Sequence, residues 1–176
     1  MSFNSNDYKG FTFRSGPTKS QQSFSTFWDN QVDDIDVDDF LGLDTDVKKV
    51  FSRVDNSGDV ILKCDIDGGE YEIIDGILKY SSRIKMLIFE FHLANNNEEN
   101  FHRDIKKIQE YFEIIHIHGN NHFPKFNSGL PPLLEITLIN KKFAPKNPEY
   151  IYNYPIQDLD YPNNPYKDDL VFSFEK

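Results

Sequence analysis

Apolar residues recur along the chain at two different spacings, and the spacing changes several times. Four segments alternate apolar with polar residues, as β-strands do when one face is covered: 60–66, 85–92, 113–118 and 133–140. Between the first three, two further segments carry apolar residues at helical spacing. Strands that alternate with helices form parallel sheets, so the pattern predicts an α/β fold with a mostly parallel sheet. The last two strands have no helix between them, which predicts an antiparallel final pair.

The beginning of the chain lacks this regularity. It is rich in Ser, Asn, Gln and Gly, with a short predicted strand at 11–13 followed by an acidic stretch. Asp44 or Thr45 can cap a helix that follows them. We therefore divide the chain into an irregular N-terminal segment with one or two short helices, 1–58, and a folded domain, 59–176.

Composition and charge narrow the possible partners. The formal net charge is -10, and a surface that negative repels nucleic-acid phosphates and anionic lipid. Hydrophobic residues make up 38% of the chain, which is enough for a core, and no apolar run is long enough to span a membrane. Cys64 is the only cysteine and the N-terminus shows no secretion pattern, so we expect a cytoplasmic protein without an internal disulfide.

Polar and charged residues gather on one face of each predicted strand, because residues of the same parity share a face. They are Lys63, Asp65 and Asp67 for the first strand, Glu90 and His92 for the second, His116, His118 and Asn120 for the third, and Glu135 and Thr137 for the fourth. Solvent exposure alone would explain this alternation if one face of the sheet were wet. However, helical crossovers usually cover both faces, and these groups lie near the strand ends where α/β sheets bind ligands. We therefore predict a functional cleft there.

Carboxylates and imidazoles in one cleft indicate two possible roles. Five side chains offer the oxygen and nitrogen ligands of a divalent metal: Asp65, Asp67, Glu90, His92 and His118. Alternatively, His92 or His118 acts as a general base near neutral pH. A single strand histidine is more often a hydrogen-bonded structural residue, but four of the five histidines lie in or just after these strands: His92, His116, His118 and His122.

The turns after the first and third predicted strands contain glycine. Gly68 and Gly69 permit unusual dihedral angles and a close approach of the backbone to a ligand. Glu70 then either complements the dipole at the start of a helix or takes part in catalysis. Gly and Asn residues at 119–121 tolerate left-handed conformations, which predicts a tight turn.

Five short strings follow one another through these segments. The first is Lys-Cys-Asp-Ile-Asp-Gly-Gly-Glu at 63–70. The others are Phe-Glu-Phe-His at 89–92, His-Ile-His-Gly-Asn-Asn at 116–121, Pro-Leu-Leu-Glu-Ile-Thr at 132–137 and Leu-Asp-Tyr-Pro-Asn-Asn-Pro at 159–165. In order and spacing they resemble the FkbM family of methyltransferases, whose first string reads Lys-x-Asp-apolar-Glu-Gly-x-Glu. The resemblance covers residues 59–174, roughly two-thirds of the chain.

This resemblance implies a Rossmann-like methyltransferase sheet, of which this chain holds the last four strands. It implies transfer of a methyl group from S-adenosylmethionine to a hydroxyl oxygen of a small molecule or sugar. The matching positions divide into catalytic residues (His92, His118, Asp65), cofactor-binding residues (Asp67, Gly68, Glu70) and substrate-binding residues (Glu90, Asn120, Asn121). By analogy with metal-dependent O-methyltransferases, Asp65, Asp67 and Glu90 would hold Mg or Mn.

The chain departs from the family pattern at two points. Asp67 stands where the family has Glu, and the upstream glycines do not form the Gly-rich unit that binds the cofactor in this fold class. We therefore expect a truncated sheet whose first predicted strand is an edge, covered by residues 1–58 or by a partner chain. Two alternative functions remain: a catalytically degenerate or accessory module, and a metal-dependent hydrolase using the same side chains.

Overall fold

Most of the regular structure belongs to one sheet and the helices beside it. The computed structural model describes residues 9–14, 32–36, 43–53, 59–93 and 97–174. The strands of the main sheet are β1 (Lys9–Arg14), β2 (Val32–Asp36), β3 (Val60–Asp65), β4 (Ile84–His92), β5 (Phe112–Gly119) and β6 (Leu133–Asn140). The helices in these ranges are α1 (Leu43–Arg53), α2 (Glu70–Leu78) and α3 (Glu98–Ile108). Two short strands, β7 (Asn153–Tyr154) and β8 (Phe172–Ser173), form a separate antiparallel pair.

The strand pairing shows that the predicted truncated, mostly parallel Rossmann-like sheet is wrong. The spatial order is β2-β1-β3-β4-β6-β5. Among the four strands predicted from the alternating pattern, only β3 and β4 pair in parallel. Strand β6 inserts between β4 and β5 and runs antiparallel to both. Because no helix separates β5 from β6, the chain can return directly beside β5 in the opposite direction. The sheet is therefore mixed.

The N-terminal strands complete the sheet on its other side. Strand β1 pairs in parallel with both β2 and β3, so β3 is an interior strand and not the predicted edge. The chain itself supplies this cover, which removes the reason for a partner chain there. The predicted strand at 11–13 lies within β1, and the predicted helix corresponds to α1. Strand β2 was not predicted, because its sequence Val-Asp-Asp-Ile-Asp is mostly acidic.

The hydrophobic core lies on one face of the sheet. Buried residues alternate along the central strands: Leu62 and Cys64 in β3, Phe89 and Phe91 in β4, and Leu134 and Ile136 in β6. They form one cluster with inward residues of the three helices, such as Val50, Ile74 and Ile108. Burying a large apolar side chain stabilises a fold by about 1.5–3 kcal/mol, so this face fixes the register. The alternate positions, which carry the polar residues, are mostly half-buried.

Gly119 ends β5 where two other segments come close. An added Cβ would lie 2.7 Å from Cγ of Pro131 and 2.9 Å from Cε1 of Phe172. The glycines with positive φ in the described ranges are Gly68 and Gly129. The tight turn predicted around 119–121 follows β5 without a left-handed Gly119, and the glycine is instead needed for close packing.

We predict that Gly119→Ala destabilises the protein. The Pro131 and Phe172 rings must shift to admit the methyl group, so the free energy of unfolding should fall by about 1–2 kcal/mol. Urea unfolding followed by circular dichroism would measure it. A variant as stable as the wild type would show that the added atom is accommodated without cost.

Candidate metal centre

Three potential metal ligands meet at the ends of β3 and β4. Parallel pairing places Cys64 opposite Phe89, so the next residues, Asp65 and Glu90, lie side by side. Ligand atoms of Asp65, Glu90 and His92 all lie within 4.8 Å of one another. Asp65 is 9% exposed, and the other two are half-buried. We call these three residues the cation cluster.

The two carboxyl groups of the cation cluster do not both carry a charge easily. Burial, the charge and hydrogen bond of Asp65, and the charge of Glu135 raise the pKa of Glu90 to about 7, although the Asn120 amide acts in the opposite direction. Lys63 compensates only in part, since its Nζ lies 3.5 Å from Asp65 Oδ2 and its side chain is 36% exposed. Two adjacent buried carboxyl groups favour binding of a positive charge, either a proton or a metal ion.

Glu70 holds the imidazole ring of His92 in place through its Nδ1 atom. Its side chain is fully buried, and its Oε1 lies 3.0 Å from His92 Nδ1. The same oxygen accepts hydrogen bonds from the backbone N–H groups of Ile66 and Gly68. This is how metal-binding histidines are usually held: one ring nitrogen bonds a carboxylate and the other is left to coordinate. Burial alone would lower the pKa of His92, but the hydrogen bond and charge of Glu70, with the charges of Glu90 and Asp67, raise it above its ordinary value.

Asp67 lies beside the cation cluster and not in it. It adopts a φ of 51° and Gly68 a φ of 103°, so both residues are left-handed and the chain turns sharply into α2. This turn leaves the Asp67 side chain 69% exposed, with Oδ1 3.6 Å from His92 Nε2. Of the five side chains predicted to offer metal ligands, the structure therefore brings together Asp65, Glu90 and His92, and of the three assigned by analogy with O-methyltransferases it leaves Asp67 outside.

We predict that Glu70→Gln weakens cation binding without removing a ligand. The amide oxygen can still accept the same hydrogen bonds, but the negative charge that makes the His92 ring a more basic ligand is lost. Mn²⁺ affinity should fall roughly tenfold, as for other outer-shell partners of metal ligands. Isothermal titration calorimetry would measure it, with Glu72→Gln as the control because Glu72 is exposed on the same helix. Equal affinities for the two variants would contradict a supporting role for Glu70.

His118 lies outside the cation cluster, between two other carboxylates. Its Nδ1 is 3.2 Å from Glu135 Oε2, and its Nε2 is 3.1 Å from Asp169 Oδ2. Burial alone would lower the pKa of His118, but these two partners raise it to about 9. An imidazole that is protonated at neutral pH cannot accept a further proton. This arrangement favours a positioning role over the predicted role as a general base.

The two asparagines predicted to bind substrate, Asn120 and Asn121, have different hydrogen-bond partners. The Asn120 amide donates to Glu90 Oε1 at 2.9 Å, so it supports the cation cluster. Asn121 is 2% exposed, and its side chain is occupied by the C-terminal part of the chain. Its Nδ2 donates to three backbone carbonyls, those of Asn164, Lys167 and Asp168, and its Oδ1 accepts from the N–H of Asn164.

The sequence did not reveal the carboxylate partners of His116 and His118. Asp160 lies 2.8 Å from His116 Nε2, and Asp169 contacts His118. Glu135 was recognised as a polar strand residue but not as a partner of His118. The available signal was the excess of histidines on β5, since buried imidazoles need carboxylate or carbonyl partners.

Comparison with known proteins does not assign the chain to a family. No protein-family model matches this chain, and no curated protein matches it either. Among the described residues, no helix combines the length and apolar character needed to cross a membrane. The resemblance to FkbM methyltransferases therefore stays a prediction.

Proposed function

We propose that this chain binds a divalent cation through Asp65, Glu90 and His92 and transfers a methyl group from S-adenosylmethionine to a hydroxyl oxygen held beside it. The observation that carries the proposal is the cation cluster, whose three ligand atoms lie within 4.8 Å of one another. The methyl-transfer part rests on the five strings that resemble the FkbM family.

The residues present suit a divalent cation. Two carboxylates and one imidazole form a mixed oxygen and nitrogen donor set, which fits Mn²⁺ well and Mg²⁺ less well. The raised pKa of Glu90 supports this choice, because a positive charge beside two neighbouring carboxyl groups offsets their repulsion. Glu70 already holds the His92 ring, so little reorientation is needed on binding.

The ends of the parallel strands suggest where a second ligand would bind. The register places Arg14 of β1 opposite both Asp65 and Asp36, so three parallel strands end in one row with the cation cluster. Ligands of open α/β sheets bind beside such strand ends. This supports a site in which S-adenosylmethionine lies along β1 and β2 and the acceptor lies beside β4.

The proposed reaction is a displacement at the methyl carbon. A lone pair of the hydroxyl oxygen forms the new C–O bond, the C–S bond breaks, and its electron pair stays on sulfur, giving S-adenosylhomocysteine. The hydroxyl proton passes to a carboxylate of Asp65 or Glu90. When bound, the cation would supply positive charge that favours loss of this proton. The remaining contribution of the chain is orientation of the acceptor.

Calorimetry with S-adenosylmethionine tests the methyl-transfer part. We expect saturable binding in the presence of Mn²⁺, with a Kd in the range of about 1 μM to 1 mM that is typical of enzyme substrates. Adenosine, which shares the nucleoside but lacks the sulfonium and does not chelate Mn²⁺ strongly, is the control ligand and should bind more weakly. If S-adenosylmethionine gives no heat beyond that of adenosine, methyl transfer by this chain is excluded.

A further inference from the structure

One segment near the C-terminus is bound by side chains from the end of the sheet. Residues 160–169, which we call the strap, contain no helix or strand. Nevertheless, several of their polar groups are withdrawn from solvent. The Asp160 side chain is 4% exposed and the Asp169 side chain 13% exposed. A segment without regular structure needs specific partners to keep charged groups in such positions.

Those partners come from β5, β6 and the turn after β5. His116 and His118 contact Asp160 and Asp169, one near each end of the strap. Between them, Asn163 donates to Glu135 at 2.7 Å. Further contacts fix the middle of the strap: Asn121 with the backbone of Asn164, Lys167 and Asp168, and Lys167 Nζ with the carbonyl of His122 at 2.8 Å. The strap is therefore attached at both ends and in its middle.

The strap lies one strand away from the cation cluster. In the sheet register, Glu135 of β6 lies opposite Glu90 on one side and opposite His118 on the other. Glu135 thus connects the two systems: its Oε2 meets His118 and its Oε1 meets the strap through Asn163. Asn120, next to Asn121, donates to Glu90. A displacement of the strap would therefore alter the surroundings of Glu90.

We infer that residues 160–169 form a wall beside the cation cluster, on its β5–β6 side, and that His118 is the positioning residue that fixes this wall by bridging Glu135 and Asp169. That this wall borders a binding site rests on the proposed function, whereas the attachment of the strap does not. The groups that face His118 are Glu135 from β6 and Asp169 from the strap. Because both are acidic, the bridge is strongest while the imidazole is protonated.

Hydrogen exchange of the full chain tests the attachment. In Asp169→Asn, amides of the strap should exchange at least about tenfold faster at neutral pH, while amides of β3 and β4 keep their protection. Asp168→Asn is the matched control, since this neighbouring carboxylate is exposed. Asp169→Glu, which keeps the charge, should restore much of the protection. Unchanged exchange in the strap of Asp169→Asn, or an equal gain in Asp168→Asn, would overturn the inference.

Mn²⁺ titration of the same variants separates this inference from the proposed function. Asp169 is not a ligand, so Asp169→Asn should bind Mn²⁺ within about threefold of the wild type. A much larger loss would mean that the strap is part of the cation site itself and not only a wall beside it. If the wild type itself binds no Mn²⁺, the proposed function fails, and the exchange experiment still decides whether His118 and Asp169 hold the strap.

Discussion

Replacement of Glu90 by Gln is expected to weaken Mn²⁺ binding by more than about 100-fold, which exceeds the usual effect of losing an outer-shell partner. The amide keeps the shape of the side chain but removes the negative charge that would coordinate the ion. It also removes the carboxyl pair with Asp65 that makes this position favourable for a cation. Isothermal titration calorimetry at neutral pH would measure the change.

A matched control shows whether that effect is local. Glu110→Gln makes the same chemical change at an exposed position outside the cation cluster. It should leave the Mn²⁺ affinity within about twofold of the wild type, because exposed charges interact weakly at a distance. Similar losses in Glu90→Gln and Glu110→Gln would mean that Mn²⁺ responds to the overall charge of -10 and not to a defined site.

The free energy of unfolding is expected to fall at alkaline pH because His118 loses its proton there. The pKa of His118 is raised from 6.5 to about 9 in the folded chain by its two carboxylate partners. A raised folded pKa stabilises the protein fully below the unfolded value, and this stabilisation disappears as the pH rises through about 9. The full shift corresponds to about 3 kcal/mol, and we expect about 2 kcal/mol because the Glu135 side chain is 36% exposed and solvent screens it.

The difference between the wild type and His118→Gln isolates this contribution from other titrating groups. Urea unfolding at several pH values should show the wild type more stable than the variant at pH 6 and the advantage nearly gone at pH 10. A constant difference across this range would show that His118 contributes through packing alone, and not through its charge.

The sequence predicted individual elements better than their arrangement. In β3, β4 and β6 the alternation of apolar and polar residues is a local signal that survives in the structure. In β5 a register shift between Ile114 and His116 interrupts it, and Ile115 is 47% exposed. The position of β6 between β4 and β5 depends on contacts between distant segments, and no local pattern encodes them. Strand β2 has no local signal at all. Its acidic sequence shows no apolar alternation, although its backbone pairs with β1.

The candidate site was predictable to a similar extent. Asp65, Glu90 and His92 could be placed together because residue parity and strand ends follow from the strand assignments. Asp67 was placed with them by the same parity rule, but its left-handed backbone carries its side chain outward. The partners of His116 and His118 could not be predicted, because Asp160 and Asp169 come from an irregular segment more than 40 residues later in the sequence.

The measurement that tests the proposed site most directly is a crystal structure of the full chain grown with Mn²⁺ and measured near the manganese absorption edge. We predict an anomalous peak bounded by carboxylate oxygens of Asp65 and Glu90 and by Nε2 of His92, with Glu70 still bonded to Nδ1 of His92. A crystal saturated with Mn²⁺ that shows no peak there, or shows its strongest peak elsewhere on the acidic surface, would contradict it.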